Sequence, residues 1–156
     1  MRGALLAALV LAGQPASAVE FPAIRQNGFK QLAMTAQTEQ DQGCRGKPLP
    51  YARLLSAEAQ PQSAAPGQTI SHRIVYAYCP AAPRQQLDVS LSKRLTYKGK
   101  VLVETPKQNY RLRPGTWADD DLIPIPADAP AGRYEMRVDL IMEGTTSTVV
   151  SMFDVR

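Results

Sequence analysis

From Ala52 onward the chain runs as short apolar stretches broken by Pro, Gly and polar clusters, a spacing that predicts an all-β sandwich without helix-length amphipathic segments. Candidate strands cover 52–58, 69–79, 87–95, 100–105, 109–112, 121–125, 133–142 and 146–155. The clearest is 133–142, where Tyr134, Met136, Val138 and Leu140 alternate with Arg133, Glu135, Arg137 and Asp139, the signature of a half-buried antiparallel strand. Its partner follows at once: Glu143-Gly144-Thr145 turns into 146–155, whose Val149, Phe153 and Val155 share a face. Tyr97-Lys98-Gly99-Lys100 makes a second hairpin turn, with Gly99 free to take positive φ. Pro66-Gly67 and Pro114-Gly115 mark loops, and residues 56–68, rich in Ala, Gln, Ser and Pro, read as a loop of little order.

Upstream the pattern differs. Residues 1–18 combine Arg2, an apolar run from Ala4 to Ala12 and Ala16-Ser17-Ala18, the layout of a cleaved export signal. Residues 19–50 join one β-like run, 29–36, to a polar stretch, 37–47, and are expected to form an N-terminal extension to a sandwich domain over 51–156. An extracytoplasmic chain, periplasmic or secreted, makes Cys44 and Cys79 a disulfide rather than a thiol site. No C-x-x-C is present to support thiol exchange.

The segment Pro130-Ala131-Gly132-Arg133-Tyr134, with Ile123-Pro124-Ile125-Pro126 before it and two paired terminal strands after it, resembles the end of an immunoglobulin-like or fibronectin-III-like sandwich, as found in bacterial envelope proteins. The resemblance covers roughly residues 52–156 and implies a single antiparallel sandwich of about seven to eight strands with the extension tethered by the disulfide. It further implies that Tyr134 fills the end of the core while its hydroxyl bonds the corner backbone. The resemblance carries architecture rather than activity.

Composition adds a bias in charge. The chain has 18 Lys and Arg against 14 Asp and Glu, a formal net charge of +4, which is too mild to imply a polyanion partner. The excess is concentrated, however. Residues 84–113 hold Arg84, Lys93, Arg94, Lys98, Lys100, Lys107, Arg111 and Arg113 against Asp88 and Glu104 alone. With Tyr97 and Tyr110 among them, Lys93, Arg94, Lys98, Lys100, Arg111 and Arg113 are the candidate partner-binding residues of a basic sheet edge. The same cations would also keep exposed edge strands from pairing with other chains.

Little else carries chemistry. His72 is the lone histidine, and alternation puts it with Ile70, Ile74 and Tyr76, the setting of a packed strand residue. With the cysteines bridged, imidazole and thiolate ligands for zinc or copper are too few, and neither a metal nor a cofactor is expected. Asp119-Asp120-Asp121 lacks the alternating ligand spacing of calcium loops and reads as a solvated loop before an edge strand, with weak Ca²⁺ binding as the alternative. The chain is therefore expected to be a non-catalytic binding or assembly accessory protein with a protein partner in the cell envelope. Alternatives are a carbohydrate or polyanion module stacking on Trp117, Tyr97 and Tyr110, with an anionic glycan or lipid as ligand; a protease inhibitor; and a small hydrolase using His72. Nucleic acid is a poor partner for so few aromatics, and no apolar stretch after the signal is long enough to span a membrane.

Overall fold

Two facing sheets are built from nine strands in the computed structural model, which describes residues 18–156. The export signal expected over residues 1–18 lies outside the described residues apart from Ala18. In chain order the elements are β1 (Arg25–Ala33), α1 (Thr35–Asp41), a 3-10 turn at Cys44–Gly46, β2 (Tyr51–Gln60), β3 (Ser63–Ala64), β4 (Thr69–Cys79), β5 (Leu87–Tyr97), β6 (Lys100–Leu112), β7 (Gly115–Pro124), β8 (Gly132–Met142) and β9 (Thr145–Val155). One sheet runs β1-β7-β4-β2 and the other β3-β9-β8-β5-β6. All neighbours are antiparallel except the short β3 against β9.

Period-two alternation sets what faces inward. Val89, Leu91 and Leu95 of β5, Tyr134, Met136, Val138 and Leu140 of β8, and Ile70, Ile74, Tyr76 and Tyr78 of β4 are all buried. They fall into two apolar clusters, one around Ile70, Leu95, Tyr134 and Phe153, the other around Ile74, Tyr76, Leu91 and Val138. In the first, Tyr134 stacks between Tyr97 and Phe153 at centroid distances of 4.7 and 5.5 Å, and its hydroxyl donates to the Pro130 carbonyl at 2.8 Å. Both hairpin turns place two successive residues at positive φ, Lys98-Gly99 and Glu143-Gly144, the backbone twist that two-residue hairpins favour.

The N-terminal segment is woven into this frame. β1 pairs with β7 along its length, and α1 packs over β4 and β7, where the Thr38 and Thr116 hydroxyls meet at 2.8 Å. That cover buries Ala77 and Cys79 on the outward face of β4, and Cys79 is bonded to Cys44. Residues 56–68 are ordered rather than loose: β2 continues to Gln60 and β3 adds to β9, because backbone pairing and the burial of Ala59 and Ala64 outweigh weak local propensity. The two runs expected at 100–105 and 109–112 form one strand through Pro106, which an edge strand tolerates.

The largest difference concerns β7. It starts at Gly115 and carries Asp119-Asp120-Asp121 through the middle of the four-stranded sheet, between β1 and β4. This run is not a solvated loop, and β7 is not an edge. Asp120 points outward to Arg73, whereas Asp119 and Asp121 point into the sandwich and are 0 and 1% exposed. At the head of this strand only glycine fits: Gly115 has φ +106°, and a Cβ there would stand 2.6 Å from the Ala33 carbonyl oxygen.

Candidate functional site

Between the two apolar clusters lies a polar layer drawn from both sheets. Lys93 of β5 continues the inward face of Val89, Leu91 and Leu95 and reaches across the sandwich to β7. Its Nζ donates to Asp121 Oδ2 at 2.5 Å and Asp119 Oδ2 at 3.1 Å. Asp119 also accepts from the Tyr110 hydroxyl at 2.9 Å and from Gln26 Nε2 at 3.2 Å, so it is held from three strands besides its own. On the far side of the layer, His72 Nε2 lies 2.9 Å from Ser151 Oγ. Its Nδ1 has no hydrogen-bond partner and faces Asp121 Oδ2 at 4.0 Å.

Opposite charges this deep offset the cost of leaving water only when they pair well and their remaining lone pairs are used. Burial pushes the Tyr110 phenol far above its ordinary value, and the Asp119 charge reinforces the shift. Burial likewise takes Tyr76 to about 12, despite the Arg113 backbone N–H that its oxygen accepts. Both phenols therefore stay protonated, Tyr110 as a donor to Asp119 and Tyr76 as the acceptor of the Arg113 N–H. Outside the sheet, the hydrogen bond from Arg73 holds Asp120 below the usual carboxylate range.

The flanks of the sandwich differ. Where β2 meets β9, the Leu54 N–H donates to Ser147 Oγ and ties the sheets together. On the opposite flank, edges β1 and β6 border a cavity of about 150 Å³ that reaches Lys93 and Asp121 and is also lined by Gln26, Thr105, Lys107 and Tyr110. Neither His72 nor Ser151 lines it. Ser151, His72 and Asp121 thus sit in the order of a hydrolytic triad, yet the carboxylate is engaged by Lys93 and both other members lie in the core.

The residues expected to form one basic surface are dispersed. Lys93 and Tyr110 are inside, 7 and 1% exposed, because each falls on the inward phase of its strand and finds partners on β7; they are not surface contacts. Arg111 pairs with Asp88 at 3.0 Å, and Arg113 lies over the rings of Phe29 and Trp117 at 5.0 and 5.2 Å. Lys98 and Lys100 sit at the other end of β6, roughly 40 Å away at the rise of an extended strand. Trp117 belongs to the Arg113 end and donates to the Pro114 carbonyl, so Tyr97, Tyr110 and Trp117 do not combine into one stacking surface.

A second concavity occurs at the Lys98 end, on the outer face of the five-stranded sheet. This groove of about 440 Å³ is lined by Arg94, Lys98, Arg133 and Arg137, one carboxylate, Glu135, and the apolar Val101 and Met152. Val101 and Met152 are 46 and 51% exposed. Arg94 leans on Glu104, Arg133 on Asp154 and Arg137 on Asp139, while Lys98 lies 5.3 Å from the Tyr97 ring. Arg133 and Arg137 alternate outward from the most legible strand in the sequence. In the sequence they stand apart from the 84–113 run and alternate with Glu135 and Asp139, so local charge does not single them out.

Among the described residues no helix is long and apolar enough to cross a membrane, and no group of three or more His, Cys, Asp or Glu side chains could hold a metal ion. No family model and no curated protein sequence matches the chain. Solved structures with a similar strand arrangement include the alkylpurine DNA glycosylase AlkC of Pseudomonas fluorescens, at 12% identity and TM-score 0.47 over 67% of this chain and 30% of that one. A family 123 glycoside hydrolase from Clostridium perfringens is similar at 12% identity and TM-score 0.46, over 86% of this chain and 27% of that one. The CARDB domain of the PF1109 protein from Pyrococcus furiosus has the same identity and TM-score, over 69% of this chain and 89% of that one. The chain thus spans less than a third of the first two proteins.

Proposed function

We propose that this chain is an exported, non-catalytic binding or assembly accessory protein, an immunoglobulin-like domain that engages another envelope or surface protein through the outer face of its five-stranded sheet. The observation that carries the reading is the groove beside the β5–β6 hairpin, where four cations and two exposed apolar side chains line a concavity holding a single carboxylate. Such a lining suits a peptide segment that alternates acidic and apolar residues. The acidic positions would meet Lys98 and the arginines, and the apolar ones Val101 and Met152. The disulfide fits an oxidising compartment and so supports export.

The test is in-cell photo-crosslinking from position 96 in the groove, compared between the native chain and a Lys98→Glu/Arg133→Glu variant. A protein adduct that the variant loses, with Arg111→Glu as an unaffected control at the far end of β6, supports the reading. Equal capture by the variant overturns it, as does an adduct of glycan or lipid in place of protein.

A further inference from the structure

We propose that the Lys93 and Asp121 side chains condense into an intramolecular amide that covalently joins the two sheets. This inference does not rest on the binding groove, which lies on the other side of the sheet. Its basis is the polar layer. Lys93 Nζ is 2.5 Å from Asp121 Oδ2, a second carboxylate, Asp119, touches the same nitrogen at 3.1 Å, and all three residues are at least nine-tenths buried. Packing holds the amine against the Asp121 carboxyl group, and preorganised groups of this kind react as though at effective concentrations on the order of 10⁵ M or more. The step replaces the Lys93 ammonium and the Asp121 carboxylate by a neutral amide and leaves Asp119 to the Tyr110 and Gln26 donors that already hold it.

The step balances without any co-reactant. Lys93 enters as ammonium and Asp121 as carboxylate. Asp119 takes a proton from Nζ, and the freed lone pair forms the N–C bond to Asp121 Cγ. The bond from Cγ to Oδ2 then breaks, and that oxygen leaves as water carrying two of the three ammonium protons, one of them relayed by Asp119. Asp119 suits the relay because Tyr110 and Gln26 hold it in place while it contacts Nζ. The unpartnered His72 Nδ1 faces the departing oxygen, its ring anchored through Nε2 by Ser151. The cavity that reaches both Lys93 and Asp121 gives the water a way out.

The experiment is mass spectrometry of the mature protein purified after export, with the cysteines reduced and alkylated. Trypsin should yield the segments 85–94 and 112–133 joined as one species, lighter than their sum by one water and uncleaved after Lys93. The intact native chain should be one water lighter than a Lys93→Met variant predicts after allowing for the substitution. Separate 85–93 and 112–133 peptides at full mass overturn the proposal. So does a water loss confined to 112–133, which would be a succinimide. The native digest decides even if Lys93→Met does not fold. For Asp119→Asn the cross-link should form on the order of a hundredfold more slowly in a pulse-chase; an unchanged rate removes Asp119 from the mechanism.

Discussion

Replacing Tyr110 by Phe isolates one hydroxyl of the polar layer. The ring keeps its contacts with Phe29 and Tyr76, both at centroid distances of 6.2 Å, and only the 2.9 Å hydrogen bond to Asp119 is lost. A buried hydrogen bond to a carboxylate contributes about 1.5–3 kcal/mol, so a loss of about 2 kcal/mol is expected at pH 8. The pH dependence follows from the raised phenol value. In the folded chain, burial and the neighbouring Asp119 keep the Tyr110 proton in place, while in the unfolded chain the phenol ionises above about pH 10. Its contribution is therefore complete below pH 10 and is lost as pH rises, by about 1.4 kcal/mol per pH unit. The Phe variant lacks this term. Tyr76 and Tyr134, both raised to about 12 chiefly by burial, weaken both proteins equally and cancel from the comparison. The gap between native and variant should narrow above pH 10 and close near pH 11.5, about 1.5 units above the unfolded value. Urea unfolding followed by the fluorescence of Trp117, the single tryptophan, at pH 8, 10 and 11 measures it. A gap that stays constant across this range would refute the burial argument, and one below about 0.5 kcal/mol at pH 8 would refute the hydrogen bond.

Other perturbations test the frame. Substituting Cys44 and Cys79 by Ser opens a link across 35 residues and should lower stability by about 4 kcal/mol in the chain-entropy model, with a urea midpoint unchanged by the mutation as the contrary result. Gly115→Ala combines left-handed backbone with a contact to the Ala33 carbonyl and should cost at least roughly 1–3 kcal/mol by thermal melting, whereas Gly46→Ala, in open space, should stay within about 0.5 kcal/mol. Arg73→Ala removes the partner that holds Asp120 low. That pair stabilises above the unfolded carboxylate value and is lost as pH falls from there through the lowered folded value, so the variant should cost less than about 1 kcal/mol at pH 7 and progressively less as the solution is acidified.

Much of the frame was open to a reading of the chain, because alternation is a local property. β8 and β9 could be drawn from their apolar positions, the Lys98-Gly99 turn from the residue type that tolerates positive φ, and the Cys44–Cys79 bond from cysteine number and the expected compartment. The same rule places Lys93 inside, since it falls two residues after Leu91 and two before Leu95, but grouping it with the nearby cations by charge hid that phase. Asp119 and Asp121 were harder to place. Three consecutive aspartates are depleted in strands and favour loops when judged alone. They become strand residues only because Lys93 stands opposite on the facing sheet, with Tyr110 and Gln26 closing the remaining contacts.

The sequence by itself determined the class of fold, the main strands and the inward phase of each. Tertiary structure alone decided which strands face one another across the sandwich, and with that where charge is buried and where it stays in water. The physical reason is range. Side-chain alternation is set by the geometry of consecutive residues, whereas the stability of a buried ion depends on a counter-charge that lies 26 or 28 residues away along the chain and is brought near only by the stacking of two sheets.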